Sequence, residues 1–156
     1  MKVKSIMSTD VASCQPGDPT YAAARLMWDN DCGVVPVVDG ESGRLEGVVT
    51  DRDLCMAAMI FNAGPQPVSD VMAHDVHTCH IDDDVRDVHA TMRENKVRRV
   101  PVVDDEQHLV GLVSLRDLAV EAFDSRSAAA TKRQRDVART LSEVSQPYNG
   151  VEDAQI

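Results

Sequence analysis

Two four-residue stretches carry the side chains best suited to chemistry. Thr50-Asp51-Arg52-Asp53 and Ser114-Leu115-Arg116-Asp117 each place a hydroxyl three residues before a carboxylate, with an arginine between them. Each follows a short apolar run, "GVV" or "GLV", and opens a stretch with helical periodicity, so each marks a strand-to-helix junction. A helix start presents unpaired amides and a partial positive charge that attract phosphate. There Thr50 or Ser114 can donate a hydroxyl to a phosphate oxygen, Arg52 and Arg116 add charge, and Asp53 or Asp117 can accept from two adjacent ribose hydroxyls. The same spacing is that of a capping box, in which hydroxyl and acid close the helix start on each other without a ligand. Spacing alone leaves both readings open, and they are compatible.

The doubling extends well beyond the junctions. At an offset of 65, Met7 falls on Met72, Cys14 on Cys79, Met27 on Met92, and "VPVVD" at 35–39 on "VPVVD" at 100–104. Beyond a polar turn the offset is 64, and Gly47 falls on Gly111 and Asp53 on Asp117. A polar turn is where a one-residue deletion costs least. Each copy reads as strand, helix, strand, strand, helix. A short extended piece (11–14, 76–79) leads to an acidic or proline-bearing helix start, with Asp18 as cap and Pro19 as first helical residue, or with the acids 82–84. Ala23, Leu26 and Met27, or Val88, Thr91 and Met92, then share a helical face. A hairpin and a closing helix follow. Neither copy buries much alone, so the two must pack as a pseudo-twofold pair with equivalent clefts between them. The expected division is 1–62, a linker 63–67, 68–123, and a partly helical tail 124–156.

This doubled pattern, "VPVVD … GVVTDRD" and "RRVPVVD … GLVSLRD", resembles the CBS domain pair, also called the Bateman module, over most of the chain. The resemblance implies an α+β fold of two β-α-β-β-α repeats and a regulatory role: binding AMP, ADP, ATP or a related adenosine ligand in the inter-repeat clefts. It implies that Thr50 and Ser114 face phosphate and that Asp53 and Asp117 hold ribose. It also implies that Gly33, Val34, Pro36 or Arg98, Arg99, Pro101 line the cleft, with Val11, Ala12 or Val76, His77 against the base. Arg98 and Arg99, set in a chain of formal charge -10, are expected to meet phosphate, in either cleft. The expected protein is a stand-alone cytoplasmic homodimer that signals ligand state to an unknown protein partner through its tail helix, with no required cofactor and no catalysis.

Other chemistries weigh less. The acidic balance argues against a nucleic-acid surface, although Lys132, Arg133 and Arg135 form one short basic patch. No apolar run suits a membrane span and no signal-peptide core opens the chain. "HDVHTCH" offers His74, His77, Cys79 and His80 to a metal, but alternation in an extended stretch splits them between two faces. Cys14 and Cys79 sit at equivalent positions, where redox sensing would need a lowered thiol pKa. A scaffold with empty clefts, its junctions serving only as helix caps, is the main rival, and a metal or redox sensor is the lesser one. In the tail, Val137, Leu141 and Val144 are spaced for one packed helical face.

Overall fold

A computed structural model describes residues 1–60, 64–124 and 128–145. Its elements run α1 (Thr20–Asp29), β1 (Val34–Val38), β2 (Leu45–Thr50), α2 (Asp51–Met59), β3 (Cys79–His80), α3 (Val85–Asn95), β4 (Arg99–Val103), β5 (Leu109–Ser114), α4 (Leu115–Asp124) and α5 (Ala128–Val144). The repeat is visible pair by pair. β1 and β2 are antiparallel, with Val34 opposite Thr50 and Pro36 opposite Val48. β4 and β5 repeat this with Arg99 opposite Ser114 and Pro101 opposite Leu112. Each hairpin carries a register shift near its turn, after Val37 and after Val102. The leading extended piece differs: β3 pairs in parallel with β4, whereas its counterpart is a single bridge from Cys14 to Val37.

The helix starts follow local chemistry. Asp84 caps α3 in a reciprocal capping box with Asp87. α1 begins otherwise than the sequence suggests. Pro19 is the cap residue itself rather than the first helical one, and the Asp18 carboxylate accepts the Gln15 amide at 2.8 Å, closing the preceding turn instead of the helix.

The repeats are contiguous in sequence, but their packing is exchanged. Two cores form. One gathers Cys14, Ala23, Met27, Val35, Val37 and Val49 with Val68 and Met72; the other gathers Cys79, Val88, Met92, Val100, Val102 and Val113 with Val3 and, beside it, Met7. The short turn Val3–Ser5 therefore closes the second core, and Val68–Asp70 closes the first. Backbone bonds fix the exchange: the Val3 amide donates to Asp83 and the Val68 amide to Asp18, while Ser8 pairs with Leu112 and Ala73 with Val48. Gly47 and Gly111 make room for it. A Cβ on Gly47 would lie 2.8 Å from the Ala73 carbonyl oxygen, and one on Gly111 2.7 Å from the Met7 sulfur. This close approach is a physical reason for the glycine that recurs in "GVVT" and "GLVS".

α5 packs on α3 and α4. Val144 is buried in the second core and Val137 packs against it, but Leu141, expected on the same face, is half exposed. Residues 125–127 and 146–156 of the tail, like 61–63, which end the expected first repeat and begin the expected linker, lie outside the described residues.

Candidate functional site

Both junctions close as capping boxes. Thr50 donates its amide (2.9 Å) and its hydroxyl (2.7 Å) to the Asp53 carboxylate, and the Asp53 amide donates back to the hydroxyl at 3.2 Å. Ser114 and Asp117 repeat the set at 2.7, 2.7 and 3.2 Å. Each hydroxyl proton is thus directed at the acid, so the expected donation from Thr50 or Ser114 to phosphate would require that bond to be given up. As folded, each hydroxyl has only acceptor capacity left. One oxygen of each aspartate, Oδ1, bears no hydrogen bond among the described residues and keeps its acceptor capacity.

The junctions differ in what surrounds them. Asp117, Ser114 and Arg116 border a cavity of about 1030 Å³ whose wall also holds Arg98, Arg99, Glu121 and Arg133. Asp53 borders a cavity of about 350 Å³ lined with Met56, Ala57, Gln66, Asp70 and Val71. The two cavities are repeat equivalents, since Ser5 and Ile6 occupy in the first the places of Asp70 and Val71 in the second. One is ringed by guanidinium groups and the other holds two acids and no cation. Among the described residues, Arg98, Arg99 and Arg116 make no ion pair. The helix starts reinforce the contrast. Asp51 accepts the Arg52 amide at 2.8 Å, so the start of α2 carries its own anion. Leu115 holds that place in α4 and supplies no acceptor.

A family model for the CBS domain matches residues 3–60 and 68–123. This chain belongs to the CBS domain family. A CBS domain-containing protein of Bacillus subtilis strain 168, YhcV, is 36% identical over 129 residues, covering 82% of this chain and 90% of its own. Among solved structures, the CBS domain pair of MJ0100, described in complex with 5'-methylthioadenosine and S-adenosyl-L-methionine, has a TM-score of 0.72 at 27% identity. It covers 80% of this chain and 97% of that one. Hypoxic Response Protein I, described with two coordinated zinc ions, has a TM-score of 0.70 at 27% identity, over 77% and 98%. The fold is that of a CBS pair, and no described helix is long and apolar enough to cross a membrane.

The remaining predicted residues of this CBS pair are scattered. Arg98 and Arg99 border the large cavity and also a neighbouring one of about 680 Å³, which Gly33, Asp51 and Trp28 line from the other repeat. Val11, Ala12, Val76 and His77 lie in irregular segments and border none of these three cavities, nor do Val34, Thr50 and Arg52. Pro36 and Pro101 are buried in their hairpins, and the Pro36 carbonyl accepts the Cys14 amide. Glu121 does not stand out in the sequence, because it lies past the junction, and Arg133 stands out only as part of a basic patch, because it lies outside the repeat. Of the metal-type residues, His80 takes the Asp82 amide on Nδ1 and Cys79 is buried, so "HDVHTCH" does not converge on one point. The group that does bring ligand atoms together, Asp104, Glu106 and His108, is at the β4–β5 turn. Burial pushes the Cys79 thiol up to about 12, helped by Asp83, and the Cys14 thiol to about 11, helped by Asp18.

Proposed function

We propose that this CBS pair is a regulatory sensor of an adenosine nucleotide, AMP, ADP or ATP, held in the cavity at Ser114, Arg116 and Asp117. The reading assigns Asp117 to the ribose hydroxyls and Arg98, Arg99 and Arg116 to the phosphates. What carries it is the gathering of three arginines, without ion pairs among the described residues, around Asp117 in a chain of formal charge -10, while Glu121, the other acid of the cavity, is paired with Arg133. Guanidinium forks match phosphate oxygens two at a time, and a site lined this way favours anionic phosphate over the cationic sulfonium of S-adenosylmethionine. The adenosine part is supported by the ligands described for MJ0100. The first-repeat junction, with Asp53 and Asp70 in its small cavity, is proposed to serve as a helix cap. The protein acts without catalysis, as a homodimer passing ligand state to a protein partner.

The deciding experiment is thermal melting with AMP, ADP, ATP and S-adenosylmethionine, each alone. A ligand at a hundred times its dissociation constant adds about 2.7 kcal/mol, roughly 5 to 10 °C for a chain of this size. The shift is expected with a nucleotide in wild type and in Asp53→Ala, and is expected to vanish in Asp117→Ala. Either aspartate variant alone costs about 0.5–2 kcal/mol as a weakened cap. No shift with any nucleotide, or equal loss in both variants, would return both junctions to simple capping.

A further inference from the structure

The large cavity has a wall that belongs to neither repeat. Arg133, on α5, borders it and forms an ion pair with Glu121 of α4. Glu121 is one helical turn beyond Asp117, on the same side of α4, and its counterpart in the first repeat is the buried, neutral Ala57. A carboxylate at that place opposes an incoming phosphate unless something cancels its charge. α5 is positioned to do so. Gln134 donates to the Ala122 carbonyl at 3.4 Å, tying the same stretch of α5 to α4. Farther along, Thr140 is fully buried against α3, 2.8 Å from His89 Nδ1 and 3.3 Å from Arg93 Nη1, and Lys96 donates to the Glu143 carbonyl at 3.2 Å.

We infer that α5 is a ligand-linked wall of this site: docked, its Arg133 cancels the charge of Glu121, so nucleotide binding and α5 docking favour one another. The inference rests on the nucleotide reading above and adds to it the device by which occupancy is reported. With α5 in place, three arginines face a single uncancelled acid, Asp117. With α5 released they face two, and the attraction for phosphate falls. The coupling is reciprocal by thermodynamic necessity, so a ligand that prefers the docked state holds α5 down and its departure frees the helix. Arg133 acts through Glu121 and is therefore a positioning residue.

The test titrates ATP into the full chain by calorimetry at fixed salt, with Arg133→Gln, Arg133→Lys, Glu121→Gln, the Arg133→Gln/Glu121→Gln pair, and Asp117→Ala. Amide exchange of α5 is followed with and without ATP. Arg133→Gln is expected to weaken ATP binding about tenfold, within the usual range for linked sites. Arg133→Lys is expected to retain most of the affinity. Removing Glu121 as well is expected to restore it, and ATP is expected to slow exchange along α5. Unchanged affinity in Arg133→Gln overturns the inference, as does a double variant no better than the single one. If Arg133→Gln does not fold, Glu121→Gln still decides: binding weaker than wild type would sink the idea. If wild type binds AMP or ADP in place of ATP, the same variants are read with that nucleotide. Should it bind none of the three, or Asp117→Ala bind undiminished, the nucleotide reading itself fails, and that result is distinct from failure of the coupling.

Discussion

Thr50 with Asp53 and Ser114 with Asp117 make the same three hydrogen bonds, yet the residue between each pair and the residues across the cleft separate their roles. Asp51 places an acid on the Arg52 amide where Leu115 leaves the next amide without one, and Gly33 and Val34 stand where Arg98 and Arg99 do. Single-residue differences between copies, rather than the shared motif, thus decide which junction suits an anion. The cysteines are governed at the same scale. Cys14 and Cys79 are buried, each beside an aspartate four residues on, and both burial and that charge favour the neutral thiol. With pKa values of about 11 and about 12, they are protonated through the physiological range and unreactive as nucleophiles. Titration of native protein with a disulfide reagent at about pH 8, near the ordinary thiol value, is expected to label exposed Cys55 quickly. Cys14 and Cys79 should react only once the chain is unfolded. Modification of Cys79 as fast as Cys55 would revive the redox reading.

Elements were legible in the sequence wherever contacts are local. Hairpins, helix faces and the Asp84 start of α3 follow from period, turn and cap chemistry, and the acceptor role of Asp117 follows from the motif. The exchange of Val3–Ser5 and Val68–Asp70 was not, because nothing within either turn says which core it will close. The glycines that admit the crossing, Gly47 and Gly111, were visible only as repeated letters. The docking of α5 was half legible. Val137 and Val144 pack as their spacing indicates, but Leu141 does not, and the polar anchor between His89 and Thr140 has no local signal. That anchor has a pH consequence. His89 is buried and its pKa is lowered, first by burial and then by Arg93, with Asp136 opposing. The folded chain therefore holds the neutral ring while the unfolded chain takes up a proton at about pH 6.5, the ordinary histidine value. Stability from this group is whole above about pH 6.5 and declines as pH falls below it, until the lower folded-state pKa is passed. Arg93, Lys96 and Glu143 also face this junction. The melting midpoint is thus expected to drop between about pH 7.5 and 5.5 more in wild type than in His89→Gln. An equal drop in both would show that His89 does not govern the docking of α5.

For the molecule as a whole, the internal twofold makes the two halves each other's control, and α5 breaks the balance. On the second half, α5 covers α3, where Thr140 engages His89 and Arg93. Their repeat equivalents on α1 are Ala24 and Trp28, and Trp28 is 82% exposed. Tyr21 continues that stripe one turn before Ala24, and Met59 of neighbouring α2 and Ile60 just past its end are exposed as well. Among the described residues no helix of the first half plays the part of α5, so the equivalent face carries exposed apolar side chains on one side and is covered on the other. Several exposed large apolar side chains on two neighbouring helices of an acidic chain suit an interaction surface, and a self-complementary face joined across a twofold is the simplest way for one gene product to cover it. The homodimer proposed above is accordingly expected to form through α1 and α2, leaving α5 free at the outer edges to report on each site. Light scattering at micromolar protein should give a dimer for wild type and a monomer for Trp28→Glu/Met59→Glu. The substituted positions are exposed in the monomer, so the variant should melt cooperatively as a folded chain. A dimer that survives the double substitution would move the interface elsewhere, and a monomeric wild type would leave α1 and α2 to a different protein.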